Sequence, residues 1–316
     1  MRGCTDKTRR NRGSLKQRPY KRKRCRSKRR MAGGKHNNTI VVYELTEGAG
    51  FFSTFWIMCK YYLYAKKHNY PFFVETTDSW QYKYKLGWHD YFKTLKEFNK
   101  DEHTPDTQIK KYNRSNMHGE QDFSIREYKD EAVKEIFVLN DNLQKIIDEH
   151  VSRYGKYKSL YIRRGDKGQE AVVLSIGEIL EQVQFKDDGS SIYVQTDDYT
   201  VVEEIRKLFP SCKVHTHTPS HYRGAHYDDI IKKSDEDKKL HAEELLISVG
   251  IFLGCVEGWT DPFSNVGVFH KLAAYDKVKF YVLPEVSEES VHAQFKMDAV
   301  VEPFLIARKY TANNKT

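Results

Sequence analysis

The chain has 316 residues, 39% of them hydrophobic and 13% aromatic, with 17 Phe and 21 Tyr. This excludes a disordered or low-complexity protein and predicts a sizeable core, as two ordinary domains or one large α/β domain. The net charge of +9 is local: residues 1–30 carry 15 Lys and Arg against the single acid Asp6, which leaves 38 basic and 43 acidic residues in 31–316. The body is mildly acidic, and nucleic acid enters as a partner only through the tail.

That tail, ending in "QRPYKRKRCRSKRR", repels itself and lacks apolar periodicity, so residues 1–38 are expected to be disordered. It reads as a nuclear-import address, as an arm for nucleic acid or anionic membrane, or as an upstream extension ahead of Met31. "TIVVYEL" (39–45) is a buried strand, "TEGAG" (46–50) a Gly-bearing turn, and a long apolar-aromatic helix runs to about His68 before the strand "PFFVET" (71–76). Strand, turn, helix and strand together are a βαβ signal for a parallel sheet. The helix segment "FFSTFWIMCKYYLYA" is too short for a membrane span and is broken by Lys60. With no secretory signal, the expectation is a soluble cytoplasmic protein. Residues 77–135 are polar and aromatic, and a helix near 140–153 closes a first domain over 39–155, with "YGKYK" as hinge.

The second half repeats the β-loop-α pattern. Strands are expected at 159–164, 191–195, 212–218, 251–255 ("IFLGC") and 279–283, with helices opening at Ser175, Tyr199, Ser234 and Val266. Ser175 with Glu178 forms a capping box that fixes one helix start. This describes a doubly wound domain over 156–285, followed by a helical segment over 286–316 that packs back on the first domain. Five cysteines without a CxxC suggest neither a zinc site nor a disulfide framework.

Ligands of open α/β sheets bind beyond the carboxyl ends of the strands. Three unusual clusters lie there: Arg163 to Glu170, Asp197 with Asp198, and Thr260 to Asn265. Arg163 and Arg164 are planar forks suited to phosphate. Strand alternation sends them to opposite faces, so one meets a ligand and the other braces Asp166, unless the Arg-Arg-Gly-Asp run is simply an exposed loop. Asp197 and Asp198 read equally as a helix N-cap and its neighbour. Glu243 and Glu244 fall near the apolar face of a helix, where a carboxylate needs a partner unless it lies at the solvated edge. "DPFSN" presents Ser264, Asn265 and backbone N–H groups to an anion, or is an ordinary cap. His215, His217, His221 and His226 match no metal-ligand spacing, and no metal is expected. Trp80, Tyr82, Trp88 and Phe92 either stack on a sugar or base, or pack in the core.

Taken together, these pieces resemble the GDP-fucose-dependent fucosyltransferases, most closely the core α1,6 enzymes and the nodulation enzymes. "RRGDKGQEA" (163–171) is similar to their Arg-Arg-x-Asp-Lys segment with a downstream Glu, and its RRGD form to the α1,2 version. "GAGFF", "WQYKYKLGWHDYF", "IYVQTDD", "EELLISVGIFLGC" and "FSNVG" resemble further family blocks in the same order, over roughly residues 40–280. The resemblance implies a GT-B arrangement of two Rossmann-like domains facing a cleft, and an inverting, metal-independent transfer without cofactor. The implied partners are GDP-fucose or a related GDP-sugar and a glycan acceptor. The implied donor site comprises Gly48, Gly50, Tyr161, Arg163, Arg164, Asp166, Asp197, Asp198, Glu243, Ser264, Asn265 and Val266. Within it Arg163 holds the β-phosphate, Ser264 to Val266 the diphosphate and Glu243 the guanine. Glu170 is the implied general base and Lys167 its charged helper; Trp80, Trp88 and His221 are candidates on the acceptor side. Tyr161 stands where the family has His. Transfer of another GDP-deoxyhexose such as rhamnose, and nucleic-acid binding through the tail, are the alternatives.

Overall fold

The computed structural model describes residues 38–116, 123–165, 174–183, 185–224, 227–262 and 264–281. The basic tail, the segment with Asp166, Lys167 and Glu170, His226, and the helix expected over 286–316 lie outside the described residues. The described residues from Asn38 to Tyr281 form a single compact unit, built around two parallel sheets.

The first sheet has the order β3-β2-β1-β4. The strands are β1 (Thr39–Leu45), β2 (Phe72–Thr76), β3 (Lys96–Glu97) and β4 (Gln108–Tyr112). All their pairings are parallel. Helix α1 (Phe51–Lys67) crosses from β1 to β2 and buries 13 of its residues, from Phe51 to Ala65. So apolar a helix must be enclosed on all sides. One flank is closed by the block 80–92: Trp88 stacks on Phe92 at 4.0 Å, and Phe51 meets Tyr82 and Tyr91 edge-on. The strands β3 and β4 were not visible in the polar run 77–135.

Helix α2 (Asp141–Tyr154), capped by Asn140, leads into the second sheet, of order β7-β6-β5-β8-β9. Its strands are β5 (Tyr157–Ile162), β6 (Ser191–Thr196), β7 (Lys213–His215), β8 (Glu257–Thr260) and β9 (Val278–Phe280). Again every pairing is parallel. The helices are α3 (Ile176–Val183), α4 (Tyr199–Leu208), α5 (Tyr227–Ile231), α6 (Asp235–Leu253) and α7 (Asn265–Ala273). The Ser175–Glu178 capping box is present, with both reciprocal bonds. Several strand bounds shift from expectation, most of all around the end of α6. "IFLGC" is the last turn of α6 rather than a strand, and the strand lies in "EGWT", within the expected loop.

Both sheets contribute to one core, and a second core covers the other face of the second sheet. Phe52 and Phe55 of α1 meet Phe269 of α7 at 4.5 Å and 5.3 Å between ring centroids. Trp56 of α1 donates its indole N–H to the Asn265 side-chain oxygen at 3.2 Å. The second turn of α1 and the first turn of α7 are thereby tied together. This sets the geometry of the cleft.

Candidate functional site

A cavity of about 430 Å³ opens between the two sheets at the carboxyl ends of their strands. From the first half it takes residues 48–53, Tyr82 and Arg114; from the second it takes the loops after β5, β6, β7 and β8 and one face of α6.

The end beyond β8 is built by helix starts. Asp261 accepts from the Ser264 N–H at 2.5 Å and from its hydroxyl at 2.7 Å. The Ser264 Oγ in turn accepts from the Gly267 N–H at 2.9 Å and caps α7. Gly267 is required by this turn, because a Cβ there would sit 2.1 Å from the Asp261 carbonyl oxygen. The Gly-bearing loop before α1 is held by side chains, Arg114 donating to the Gly48 carbonyl and Gln81 to that of Ala49. Neither α1 nor α7 has an acid in its first turn. By contrast α6 has three, Asp235, Glu236 and Asp237. The N-terminus of α1, with neither an acid nor a side-chain cap, faces this cavity, a setting that favours an anion, whereas the Asp261 carboxylate already meets the start of α7 through Ser264.

Arg163 lies between the two ends. Asp197 holds its guanidinium at 3.0 Å and takes the Arg164 backbone N–H at 2.7 Å with its other oxygen. Arg164 turns away and donates to the Leu174 carbonyl at 2.7 Å. The two side chains diverge just beyond the end of β5, and Asp166, the expected brace, lies outside the described residues. Gly224 donates to the Asp197 carbonyl at 2.9 Å. At φ +94°, a Cβ on it would come within 2.8 Å of Gly165. The loop after β7 is thus closed down on the loop after β5.

The far wall is the α6 face His241, Glu244, Leu245 and Ser248. Tyr222 donates its hydroxyl to Glu244. Burial holds the His241 imidazole down to about 4, with Lys233 and Arg163 adding to the effect. Burial also holds His217 at about 4, helped by His150. Both rings are neutral at neutral pH. Burial pushes the Tyr161 hydroxyl well up, so it remains protonated beside Ser264.

Of the expected donor residues, Gly48, Gly50, Tyr161, Arg163, Asp197, Ser264, Asn265 and Val266 line the cavity. Arg164 does not, for the reason just given. Asp198 caps α4, accepting from the Thr200 N–H at 2.9 Å. Glu243 pairs with Lys239 at 2.5 Å, and the cavity carboxylate is its neighbour Glu244. Trp80 and Trp88 are 3% and 1% exposed and belong to the core under α1. Trp88 donates its indole N–H to the Thr94 carbonyl at 2.6 Å. His221 is exposed, edge-on to Tyr222. Sequence reasoning missed Arg114, Gln195, Thr218, Tyr222 and His241. The spacing 241, 244, 245, 248 is one helical stripe and was the available signal for the α6 wall. Among the described residues there is no group of three or more potential metal ligands, and no helix is long and apolar enough to cross a membrane.

No protein-family model and no curated protein matches the sequence. Among solved structures, the chain is similar to the NodZ α1,6-fucosyltransferase soaked with GDP-fucose, at 12% identity over 73% of this chain and 92% of that one, with a TM-score of 0.49. NodZ comes from Bradyrhizobium. The chain is also similar to POFUT1 in complex with GDP, at 10% identity over 78% of this chain and 99% of that one, TM-score 0.47. An arginine-to-lysine mutant of Arabidopsis thaliana FUT1 in complex with GDP is similar at 8% identity over 78% of this chain and 71% of that one, TM-score 0.45.

Proposed function

We propose that the chain is an inverting glycosyltransferase that moves fucose from GDP-fucose to a glycan hydroxyl. The observation that carries this reading is the polarity of the cavity. Its β8 end has the uncapped, acid-free N-terminus of α1 beside the Ser264 turn of α7, Arg163 stands in the middle on Asp197, and a carboxylate, Glu244, stands on the far wall. A nucleoside diphosphate has the matching order, with anionic oxygens at one end and, in guanine, paired N–H donors at the other. A volume of about 430 Å³ is within the usual range for such ligands.

In this reading Ser264 to Val266 and the N-terminus of α1 receive the diphosphate. Arg163, aimed by Asp197, meets the β-phosphate oxygen on which charge grows as the sugar leaves. A fixed donor at that oxygen contributes about 3–4 kcal/mol to the transition state. Glu244 takes the guanine role that the family resemblance implied for Glu243. The acceptor hydroxyl gives its proton to Glu170, its oxygen bonds to the anomeric carbon, and the bond from that carbon to the phosphate oxygen breaks with its electron pair leaving on GDP. Lys167 supports the charge of Glu170. Positive charge at the leaving group comes from protein groups, so no step is routed through a metal.

The test is GDP release from GDP-fucose and other GDP-sugars across a panel of glycan acceptors, for the protein and for Glu170→Gln. The expected result is turnover with GDP-fucose and a fall of about 10²–10⁴-fold in kcat in the variant, with GDP affinity retained. Full activity in Glu170→Gln contradicts the assignment of the base. Absence of turnover with every GDP-sugar contradicts the transferase reading.

A further inference from the structure

Gln195 plays no part in the reaction described above, yet it is one of the most buried polar residues of the cavity. It is 3% exposed, the penultimate residue of β6, and part of the cavity lining. Its Oε1 has no hydrogen-bond partner among the described residues. A buried carboxamide oxygen without a donor is destabilising, and few are left so in folded proteins. At the wall of a ligand cavity a donor on the ligand can satisfy such an oxygen.

The fold says which part of the ligand reaches it. Gln195 is the register partner of Tyr161. Its side chain shares the sheet face of Tyr193, two residues earlier, whose hydroxyl lies 2.9 Å from the Ser248 hydroxyl on α6. Helix α6 leads down to β8, which runs parallel to β5 and so to β6; the helix is therefore antiparallel to the strands. From the Tyr193–Ser248 contact, two strand residues up is Gln195, a rise of about 6.6 Å. Four helical residues up is Glu244, a rise of about 6 Å. Gln195 and Glu244 thus stand level on two walls of one cavity. The anion-binding end lies on the other side of β5, past Tyr161 and toward α7.

We propose that Gln195 is a specificity-determining residue that reads the exocyclic amine of a guanine base. The inference rests on the GDP-sugar reading above. Glu244 accepts the ring N–H and one hydrogen of the amine, and the Gln195 carboxamide oxygen accepts the other. An amine has two hydrogens, and one carboxylate facing the ring edge takes only one of them. A buried acceptor that is level with that carboxylate completes the pair, whereas ribose hydroxyls lie closer to the diphosphate end.

Calorimetric titration of the full chain with GDP, inosine diphosphate and 2′-deoxy-GDP tests this. Inosine diphosphate differs from GDP only in lacking the amine. Gln195→Met keeps the side-chain length and removes the acceptor. GDP affinity in Gln195→Met is expected to fall about three- to tenfold, with inosine diphosphate within about twofold of its wild-type value. In both proteins 2′-deoxy-GDP is expected to follow GDP. Equal losses for GDP and inosine diphosphate overturn the proposal, as does a loss that spares only 2′-deoxy-GDP. Should Gln195→Met not fold, Glu244→Gln serves instead: a residual preference for GDP over inosine diphosphate supports the proposal, and no preference overturns it. Wild-type protein that binds none of the three nucleotides overturns the GDP-sugar reading and this inference with it. GDP binding without an amine-specific effect at Gln195 overturns this inference alone.

Discussion

Asp197 divides its two oxygens between the Arg163 guanidinium and the Arg164 backbone N–H, so it fixes both the side chain and the backbone where the chain leaves β5. Asp197→Asn keeps the shape and loses the charge, and hydrogen bonds to charged groups are worth about 1.5–3 kcal/mol. The expected outcome is a GDP affinity weakened about tenfold or more, read by titration, with a smaller effect than Arg163→Ala. Glu244 makes a second test. Glu244→Gln is expected to lose most of the preference for GDP over ADP, while Glu243→Gln, at a residue paired with Lys239, keeps it. Discrimination retained in Glu244→Gln would reverse that assignment. The Glu-Glu pair was visible in the sequence as a carboxylate problem near an apolar face. Which member faces the ligand depends on about 100° of helix rotation, and that follows only from how α6 packs on β6.

Among the elements, α7 carries the sharpest constraint. Its first turn passes so close to the Asp261 carbonyl that an added Cβ would lie 2.1 Å away. Gly267→Ala must therefore move the turn that presents Ser264 to Val266. Expected are a lower melting temperature and loss of GDP binding; normal binding would mean the turn is not part of the site. Trp88→Ala is predicted to cost about 3–5 kcal/mol of stability, measured by denaturant unfolding, since the ring is enclosed under α1 and does not line the cavity. Apart from Tyr82, which lines the cavity, the block 80–92 is thus read as scaffold. The βαβ opening and the capping box were legible because apolar runs, turn residues and caps agree there. "IFLGC" was not: a short apolar run fits a buried strand or a buried helix turn equally. β4 was hidden because its sequence, Gln108–Tyr112, carries two lysines. Lys111 reaches Glu44 and Glu75 at 3.1 Å and 2.7 Å, and this satisfies it on a strand surface where composition alone argues against a strand.

For the whole molecule, burial of neutral imidazoles ties stability to pH. His217 and His241 are both held at about 4, against 6.5 for the free group, chiefly by burial. The unfolded chain takes up protons below about 6.5 and the native chain does not, so their contribution is complete above that pH and falls as pH drops toward 4. The melting temperature is therefore expected to decline between pH 7 and 5, before most carboxylates titrate, and less steeply in His217→Gln. A flat profile in that window would contradict the account. The same two rings line the cleft that both sheets enclose, so the cleft and the core respond together. The most direct test of the central claim is calorimetric titration of the full chain with GDP, UDP and ADP, repeated on Arg163→Ala. The account predicts binding of GDP in preference to UDP and ADP, lost in the variant while the fold remains; preference for UDP, or no nucleotide binding by folded protein, would contradict it.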